Sequence, residues 1–149
     1  MLNTRSFAVL ALAFAFATPA FGQTAVVGRI KSASGAAFIV RQQAEIPART
    51  GQPILEADGL KTGADGRLGI TLKDETRLSL GPNSDVHLDQ FVYAPGEGRL
   101  RFALTIARGV MAYVSGRIAK LSPDAVRLET PSAILGVRGT TLVIRVEAP

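Results

Sequence analysis

Arg138 is the residue whose local sequence most suggests a binding site. It lies in Gly136-Val137-Arg138-Gly139-Thr140, between two glycines three positions apart. Glycine adopts positive φ without strain, so this spacing predicts backbone that bends or approaches another segment closely. A guanidinium at such a point has five donors in a rigid fork. The pattern therefore supports two roles, a structural clasp on neighbouring carbonyls and a receptor for an anion or a partner.

Few other residues could support catalysis. His87 is the only histidine, there is no cysteine, and no Gly-x-Ser-x-Gly sequence occurs. Asp58, Asp65, Asp74 and Asp85 fall in successive predicted turns, where Asp is favoured because its side chain bonds the local backbone. None belongs to a calcium-loop pattern. We therefore predict no catalytic residue, no metal site, no cofactor and no enzymatic activity.

The amino terminus predicts a secretory signal peptide. Arg5 precedes an uncharged apolar run of 11 residues at 7–17, and Ala20-Phe21-Gly22 offers small residues for cleavage. A spanning helix needs about 20 apolar residues, so the run is short for an anchor, although an uncleaved anchor is the alternative. Residues 1–22 are thus the predicted signal peptide and residues 23–149 one exported domain. We expect a periplasmic or secreted protein, with no membrane span after cleavage.

The charge pattern is mildly basic and dispersed. The formal net charge is +5, and neither a Lys/Arg cluster nor interleaved aromatic residues appear. Single-stranded nucleic acid would require both features, so nucleic acid is not expected as a partner. Solvated strand faces explain the dispersed cations, and the sharper alternative is a weak preference for anionic polymers of the envelope.

Apolar and polar residues alternate along most of the remaining chain, as they do in half-buried strands. The residues predicted to point inward are Leu68, Ile70, Leu72, Leu78, Leu80, Val86, Leu88, Leu100, Phe102, Leu104, Ile106, Val126 and Leu128. No segment after residue 22 keeps helical periodicity over three turns, so helix should be limited to one short piece.

Several local predictions concern pairing and turns. Strands at 26–31 and 37–41 should form a hairpin, and residues 42–52 should be irregular. Arg108-Gly109 should be a turn, after which Val110, Ala112 and Val114 share one face, and Leu121 should pack with Ile118. The expected class is all-β, with short antiparallel strands wound into a two-sheet sandwich or a short solenoid.

Four segments resemble the FecR-type domain, the periplasmic all-β part of ferric-citrate-type signalling regulators. Residues 130–140 (TPSAILGVRGT) resemble its closing signature. Residues 60–68 (LKTGADGRL) are similar to its I-x-T-G-x-D-G-x-A segment, and 72–80 (LKDETRLSL) to its L-x-D-G-T-x-L-x-L hairpin. Residues 82–84 (PNS) match the following turn. The resemblance covers roughly residues 26–146, with Ala57-Asp58-Gly59 and Asp74-Glu75-Thr76 as departures.

The resemblance implies a binding or docking module of the bacterial cell envelope with a connection to signalling. The regulators carry a cytoplasmic anti-sigma segment and a transmembrane helix before this domain, whereas a signal peptide is expected here. The alternative is a structural or assembly subunit without a sensing role. Partners would be an envelope protein, an anionic polysaccharide or a second copy of the chain. The candidate residues, as latch or partner contact, are Thr130, Pro131, Gly136, Arg138, Gly139 and Thr140.

Overall fold

The computed structural model describes residues 25–138 and 141–147. The predicted signal peptide at residues 1–22 lies outside them. No helix of the described part is long and apolar enough to cross a membrane. The strands are β1 Val26–Ser34, β2 Ala37–Arg41, β3 Ala44–Pro47, β4 Pro53–Leu55, β5 Gly59–Thr62, β6 Arg67–Leu72, β7 Arg77–Leu80, β8 Asp85–Ala94, β9 Arg99–Val114, β10 Val126–Glu129, β11 Ile134–Gly136 and β12 Thr141–Val146.

Helix is almost absent from the described residues. One α-helix, α1 (Arg117–Leu121), follows β9, and single 3₁₀ turns occupy Pro95–Glu97 and Pro123–Ala125. The predicted all-β class is therefore confirmed. Leu121 is 60% exposed, so the prediction that it packs beside Ile118 is wrong. It is the last residue of α1, whose buried side is formed by Ile118 and Ala119.

The twelve strands join into one curled sheet in the shape of a half-barrel. One half has the order β3-β2-β5-β8-β9-β10-β11, and the other the order β12-β9-β7-β6-β1-β4. All pairs are antiparallel except β9 with β10. The prediction of two sheets or a short solenoid is not confirmed, because β9 belongs to both halves and connects them.

The length and curvature of β9 organise the molecule. Phe102 and Tyr113 stack with their ring centroids 6.1 Å apart, although they are eleven positions apart in one strand. A straight strand would place them about 36 Å apart at about 3.3 Å per residue. The strand therefore folds over the core, and its two halves pack their inward side chains against each other.

Gly109 marks the bend in β9, where a turn was predicted at Arg108-Gly109. That prediction is wrong because the strand continues from Arg99 to Val114, with Gly109 at φ +97°. Inward-facing residues are even-numbered before the bend and odd-numbered after it. Met111 and Tyr113 are buried, and Val110, Ala112 and Val114 share the outward face, so the prediction that these three lie on one face is confirmed. A left-handed residue in the strand causes the one-residue change of phase.

The amino-terminal strands also pair differently from the prediction. β1 pairs with β4 and β6, whereas β2 pairs with β3 and β5, so the predicted β1–β2 hairpin is wrong. Gly35, at φ +60°, redirects the chain between the two halves, and the amide of Ala36 donates to Asp65 Oδ1 at 3.1 Å. The segment predicted to be irregular contains β3, which follows a turn with Gln42 and Gln43 at positive φ.

Most predicted inward residues are buried as expected. This holds for the alternating positions of β6, β7, β8, β10 and the first half of β9, with Leu100 half-buried. In β12, Ile144 is buried, and Leu142 and Val146 are half-buried against the core. Local alternation was therefore a reliable guide to facing wherever no backbone irregularity interrupted a strand.

Candidate functional site

The first part of the candidate motif is a tight turn between β10 and β11. The amide of Thr130 donates to the carbonyl of Ala133 at 2.8 Å, and the amide of Ala133 donates to Thr130 Oγ1 at 3.1 Å. Pro131, exposed, occupies the second position, where its fixed φ suits a turn. Thr130 and Pro131 therefore close the β10–β11 hairpin.

The structure around Gly136 does not require a glycine at this position. A Cβ placed on it would have no heavy atom within 4 Å, and its φ lies outside the left-handed region. The bend or close approach expected at this position is therefore not found there. Gly139 and Thr140, the other small residues of the motif, lie outside the described residues.

Arg138 is exposed, and its neighbour Val137 is buried. It lines a shallow depression of about 420 Å³ together with Lys120 and Asp124. Within residues 25–138 and 141–147, no hydrogen bond or ion pair connects its guanidinium to another side chain or carbonyl. The clasp and the receptor roles both stay predictions.

His87 is exposed on β8, as its alternation predicted. Its Nδ1 lies 2.8 Å from Asp89 Oδ1, and Thr105 Oγ1 donates to the other oxygen of the same carboxylate at 2.7 Å. The three side chains form a solvent-facing row across β8 and β9. No group of three or more His, Asp or Glu side chains in the described part is arranged to hold a metal ion.

Three of the four aspartates predicted in turns have structural roles, whereas Asp85 is the first residue of β8. Asp58 is 1% exposed and accepts hydrogen bonds from Arg41 Nε at 2.9 Å and Nη2 at 2.7 Å. It also accepts the amide of Leu55 at 2.8 Å. The hydrogen bond from Arg41 to Asp58 raises the pKa of the guanidinium. This pair joins β2 to the turn before β5, so Asp58 is a connector between segments.

Asp74 is the most connected of these residues. Fully buried, its carboxylate accepts the amide of Thr76 at 3.1 Å, the hydroxyl of Thr76 at 2.7 Å and the amide of Ile118 at 3.2 Å. Its carbonyl accepts the amide of Arg117 at 2.7 Å. The β6–β7 turn therefore caps the first turn of α1 from a distant point in the chain.

A second buried polar cluster holds the bend of β9. Thr62 Oγ1 donates to the carbonyl of Gly81 at 2.6 Å and accepts the amide of Ser84 at 2.9 Å. Ser84 Oγ accepts the amide of Val110 at 3.0 Å, next to Gly109. The sequence analysis did not predict this cluster. The only pattern in the sequence that marks it is the pair of FecR-like segments, T-G-x-D-G with Thr62 and P-N-S with Ser84. Those segments therefore supply side chains that hold the bend of β9.

The free edges of the sheet are the remaining candidates for contact. The outermost described strands are β3, β4, β11 and β12. β3 ends in Pro47, β4 begins with Pro53, and β4 and β11 have only three residues each. Proline and short length protect an edge from further pairing. β12 has six residues, no proline and Val143 65% exposed, so it is the least protected edge.

The backbone groups on the free side of β12 can be assigned from its pairing. Val110 directs its amide to Ser84 Oγ and its carbonyl to the amide of Gly81, away from β12. In an antiparallel ladder these directions alternate, so Met111 and Tyr113 face β12 and bond their partners Ile144 and Leu142. The N–H and C=O groups of Thr141, Val143 and Arg145 then point outward from the sheet.

Comparison with known proteins gives one match. The family described as FecR protein matches residues 58–149, which is more than half of the chain. The match begins at Asp58 and includes the two buried polar clusters, the β9 bend and the edge strand β12. No curated protein matches, and no solved structure matches.

Proposed function

Because the chain belongs to the FecR family, whose domain is associated with envelope signalling, we propose that it is a docking module of the bacterial cell envelope that binds a partner at the outer edge of β12. The proposed location is the periplasm or the extracellular space, and the proposed role is binding rather than catalysis. The observation that carries the proposal is the unprotected six-residue edge of β12.

The partner would be a protein segment in extended conformation. Three outward-directed residues, Thr141, Val143 and Arg145, offer alternating donors and acceptors to such a strand. Main-chain hydrogen bonds provide affinity in strand addition, and side chains beside the edge provide specificity. Ala107, Pro131, Arg145 and Val146 line a depression of about 440 Å³ at the end of β12, which can receive a side chain of the added strand.

Replacing Val143 with proline tests the edge without removing a bond to β9. Its amide points away from β9, so Val143→Pro deletes one outward donor, and proline is tolerated where the amide faces solvent. We expect the Val143→Pro protein to lose about tenfold or more in capture of an envelope partner, since a strand cannot pair across the missing donor. The measurement is a pull-down from periplasmic extract with quantitative mass spectrometry.

Val143→Thr is the matched control, because it keeps the amide and the β-branched shape. It should capture the same partner at the wild-type level. Equal capture by wild type and Val143→Pro, with unchanged melting temperatures, would contradict docking at this edge.

A structural or assembly role is the second candidate, and the same edge supports it. Two copies of β12 can pair about a two-fold axis, which gives a closed dimer. Sedimentation of the purified chain distinguishes the two roles. An apparent molecular mass that rises with protein concentration, and that is lower in the Val143→Pro variant, favours self-assembly. A monomer at all concentrations that still captures a defined partner favours docking.

A further inference from the structure

Charge is segregated between the two halves of the sheet. No Asp or Glu occurs in the strands of the half that contains β12. These strands are β1, β4, β6, β7, residues 109–114 of β9, and β12. Their exposed cations are Arg29, Lys31, Arg67, Arg77 and Arg145. We call the outward side of these strands the cationic face.

The cations of this face are free of acidic partners among the described residues. No ion pair joins any of the five to an acid there, and Arg29 donates only to the carbonyl of Gly51, at 3.0 Å. Of the acids beside these strands, Glu75 contacts Arg117 at 3.2 Å and Asp65 accepts the amide of Ala36, while Glu56 and Glu147 follow the ends of β4 and β12. The strands themselves therefore supply no acid to neutralise the positive field of the face.

The other half of the sheet carries acids as well as cations: its strands contain six Lys or Arg residues and four Asp or Glu residues. Lys61 meets Glu45 at 2.8 Å, His87 meets Asp89 at 2.8 Å, and Arg127 contacts Glu129. Solvation of strand faces alone would distribute acids across both halves of the sheet. The absence of acids from the strands of one half therefore favours an anionic partner on that side.

Register places the four arginines of the face in two rows, and Lys31 lies at the irregularity of β1. Arg29 lies opposite Thr71, which lies opposite Arg77. Arg67, four residues before Thr71 on β6, lies opposite Ser34, and Arg145 lies opposite Val110. At about 3.3 Å per residue the two rows are about 13 Å apart.

Small side chains fill the space between the rows. The residues directly opposite one another from β1 to β12 are Ser32, Gly69, Ser79, Ala112 and Val143. This low row spans four strand spacings, about 19 Å. The result is a shallow trough with a polar and small floor, bounded on both sides by guanidinium groups.

We infer that the cationic face binds an extended, carboxylate-bearing polysaccharide of the envelope. Four of the five cations are arginines, whose forked guanidinium pairs with a carboxylate through two parallel hydrogen bonds. A linear polymer with repeated carboxylates can engage both rows at once while its sugar hydroxyls contact Ser32 and Ser79. The inference rests on the proposed envelope location; the cationic face adjoins the outer edge of β12 and shares Val143 and Arg145 with it, whereas Arg67 and Arg77 lie on β6 and β7, away from that edge.

The floor of the trough favours a glycan over other polyanions. A lipid surface calls for bulky apolar side chains that insert, and of the large exposed hydrophobic residues among those described only Val143 lies on this face. Single-stranded nucleic acid calls for aromatic stacking platforms, and the outward positions of these strands carry no aromatic residue. The positive charge of the arginine rows, together with the hydroxyl groups of Ser32 and Ser79 in the floor, fits an acidic sugar polymer.

The test measures binding of the full chain to polygalacturonate by titration calorimetry at low and at physiological salt. The double variant Arg67→Gln/Arg77→Gln should weaken binding about five- to tenfold, because each of the two rows loses one cation. Arg99→Gln/Arg101→Gln removes the same charge from the other half of the sheet and is the matched control. It should change binding by less than about twofold. Higher salt should weaken wild-type binding, because the contacts are exposed.

Three results would overturn the inference. The first is that the wild type does not bind polygalacturonate, and the second is that both double variants lose the same affinity for it. The third is that phosphatidylglycerol vesicles bind more tightly than polygalacturonate, with the same dependence on Arg67 and Arg77. Neutral dextran should not bind. Both double variants leave Val143 intact, so partner capture at β12 should persist in them, and failure of one proposal is distinguishable from failure of the other.

Discussion

At the scale of single residues, Asp74 and Ser84 each make several hydrogen bonds, although neither was a candidate site residue. Asp74 and Ser84 are both fully buried, and each satisfies amides from segments distant in the chain. Arg138, the residue with the most suggestive surroundings, is exposed. Buried polar groups must find partners, whereas an exposed cation is solvated at little cost. Structural importance in this molecule therefore follows burial.

Replacing Asp74 measures that difference. Asp74→Ala leaves the amide of Ile118 and the hydroxyl of Thr76 without their acceptor, so we expect a loss of about 3 kcal/mol in the free energy of unfolding. Arg138→Ala is the comparison and should change it by less than about 0.5 kcal/mol, as is usual for an exposed side chain. Urea unfolding followed by circular dichroism measures both.

The Arg138 variant also separates its two predicted roles. A large loss of stability in Arg138→Ala would support the clasp on neighbouring carbonyls. Unchanged stability combined with lost partner capture would support the receptor role.

At the scale of elements, β9 decides the architecture. Its first half pairs with β8 and β10, its second half pairs with β7 and β12, and Gly109 lies between them. The Thr62–Ser84 cluster supplies hydrogen bonds at the bend, where the regular ladder is interrupted. The edge of β12 and the cationic face both depend on this placement of the second half.

Two glycines of similar appearance should respond differently to alanine. Gly109 has φ +97°, and a Cβ there would lie 2.3 Å from the Cα of Ser84, so Gly109→Ala must shift backbone. We expect a loss of about 2 kcal/mol or more in stability. Gly136→Ala has open space around it and should be neutral or slightly stabilising.

Thermal unfolding of the two variants, recorded together, tests the assignment of the bend. Similar melting temperatures for Gly109→Ala and wild type would show that β9 does not require a left-handed residue at position 109.

At the scale of the whole molecule, the core is closed by aromatic contacts across the curl. Phe102 stacks on Tyr113, and Phe91 meets Phe102 edge to face at 6.2 Å. Burial raises the pKa of the Tyr113 hydroxyl, with a smaller opposing effect from its hydrogen bond with Ser115. The folded state therefore favours the neutral phenol, and ionisation of this residue is coupled to opening of the core.

Stability should fall at alkaline pH for this reason. A raised folded-state pKa means that the contribution of Tyr113 is fully present below the ordinary tyrosine pKa of about 10 and is lost as pH rises above it. Tyr113→Phe should show a shallower decline in the free energy of unfolding over that range, measured by denaturant titration at several pH values. The same slope in Tyr113→Phe and wild type would contradict the assignment.

Much of the local structure was accessible from the sequence because its signals are local. Alternation in β6, β7 and β8 predicted which side chains face the core, and the FecR-like segments predicted the family. The aspartates were correctly assigned to turns at Asp58, Asp65 and Asp74, although their distant donors were not foreseen. Side-chain facing depends on a period of two residues, which is visible in any short window.

The sequence by itself determined that the chain forms short strands, which side chains they bury and which turns they use. Only the tertiary structure decided which strands become neighbours, because strand pairing joins residues distant in sequence and no local pattern encodes the partner. The continuation of β9 through Gly109 reversed the facing of the residues after it, left the edge of β12 open and placed Arg145 on the same face as Arg29, Arg67 and Arg77. The candidate binding surfaces therefore arise from strand order and curvature, which are properties of the assembled sheet.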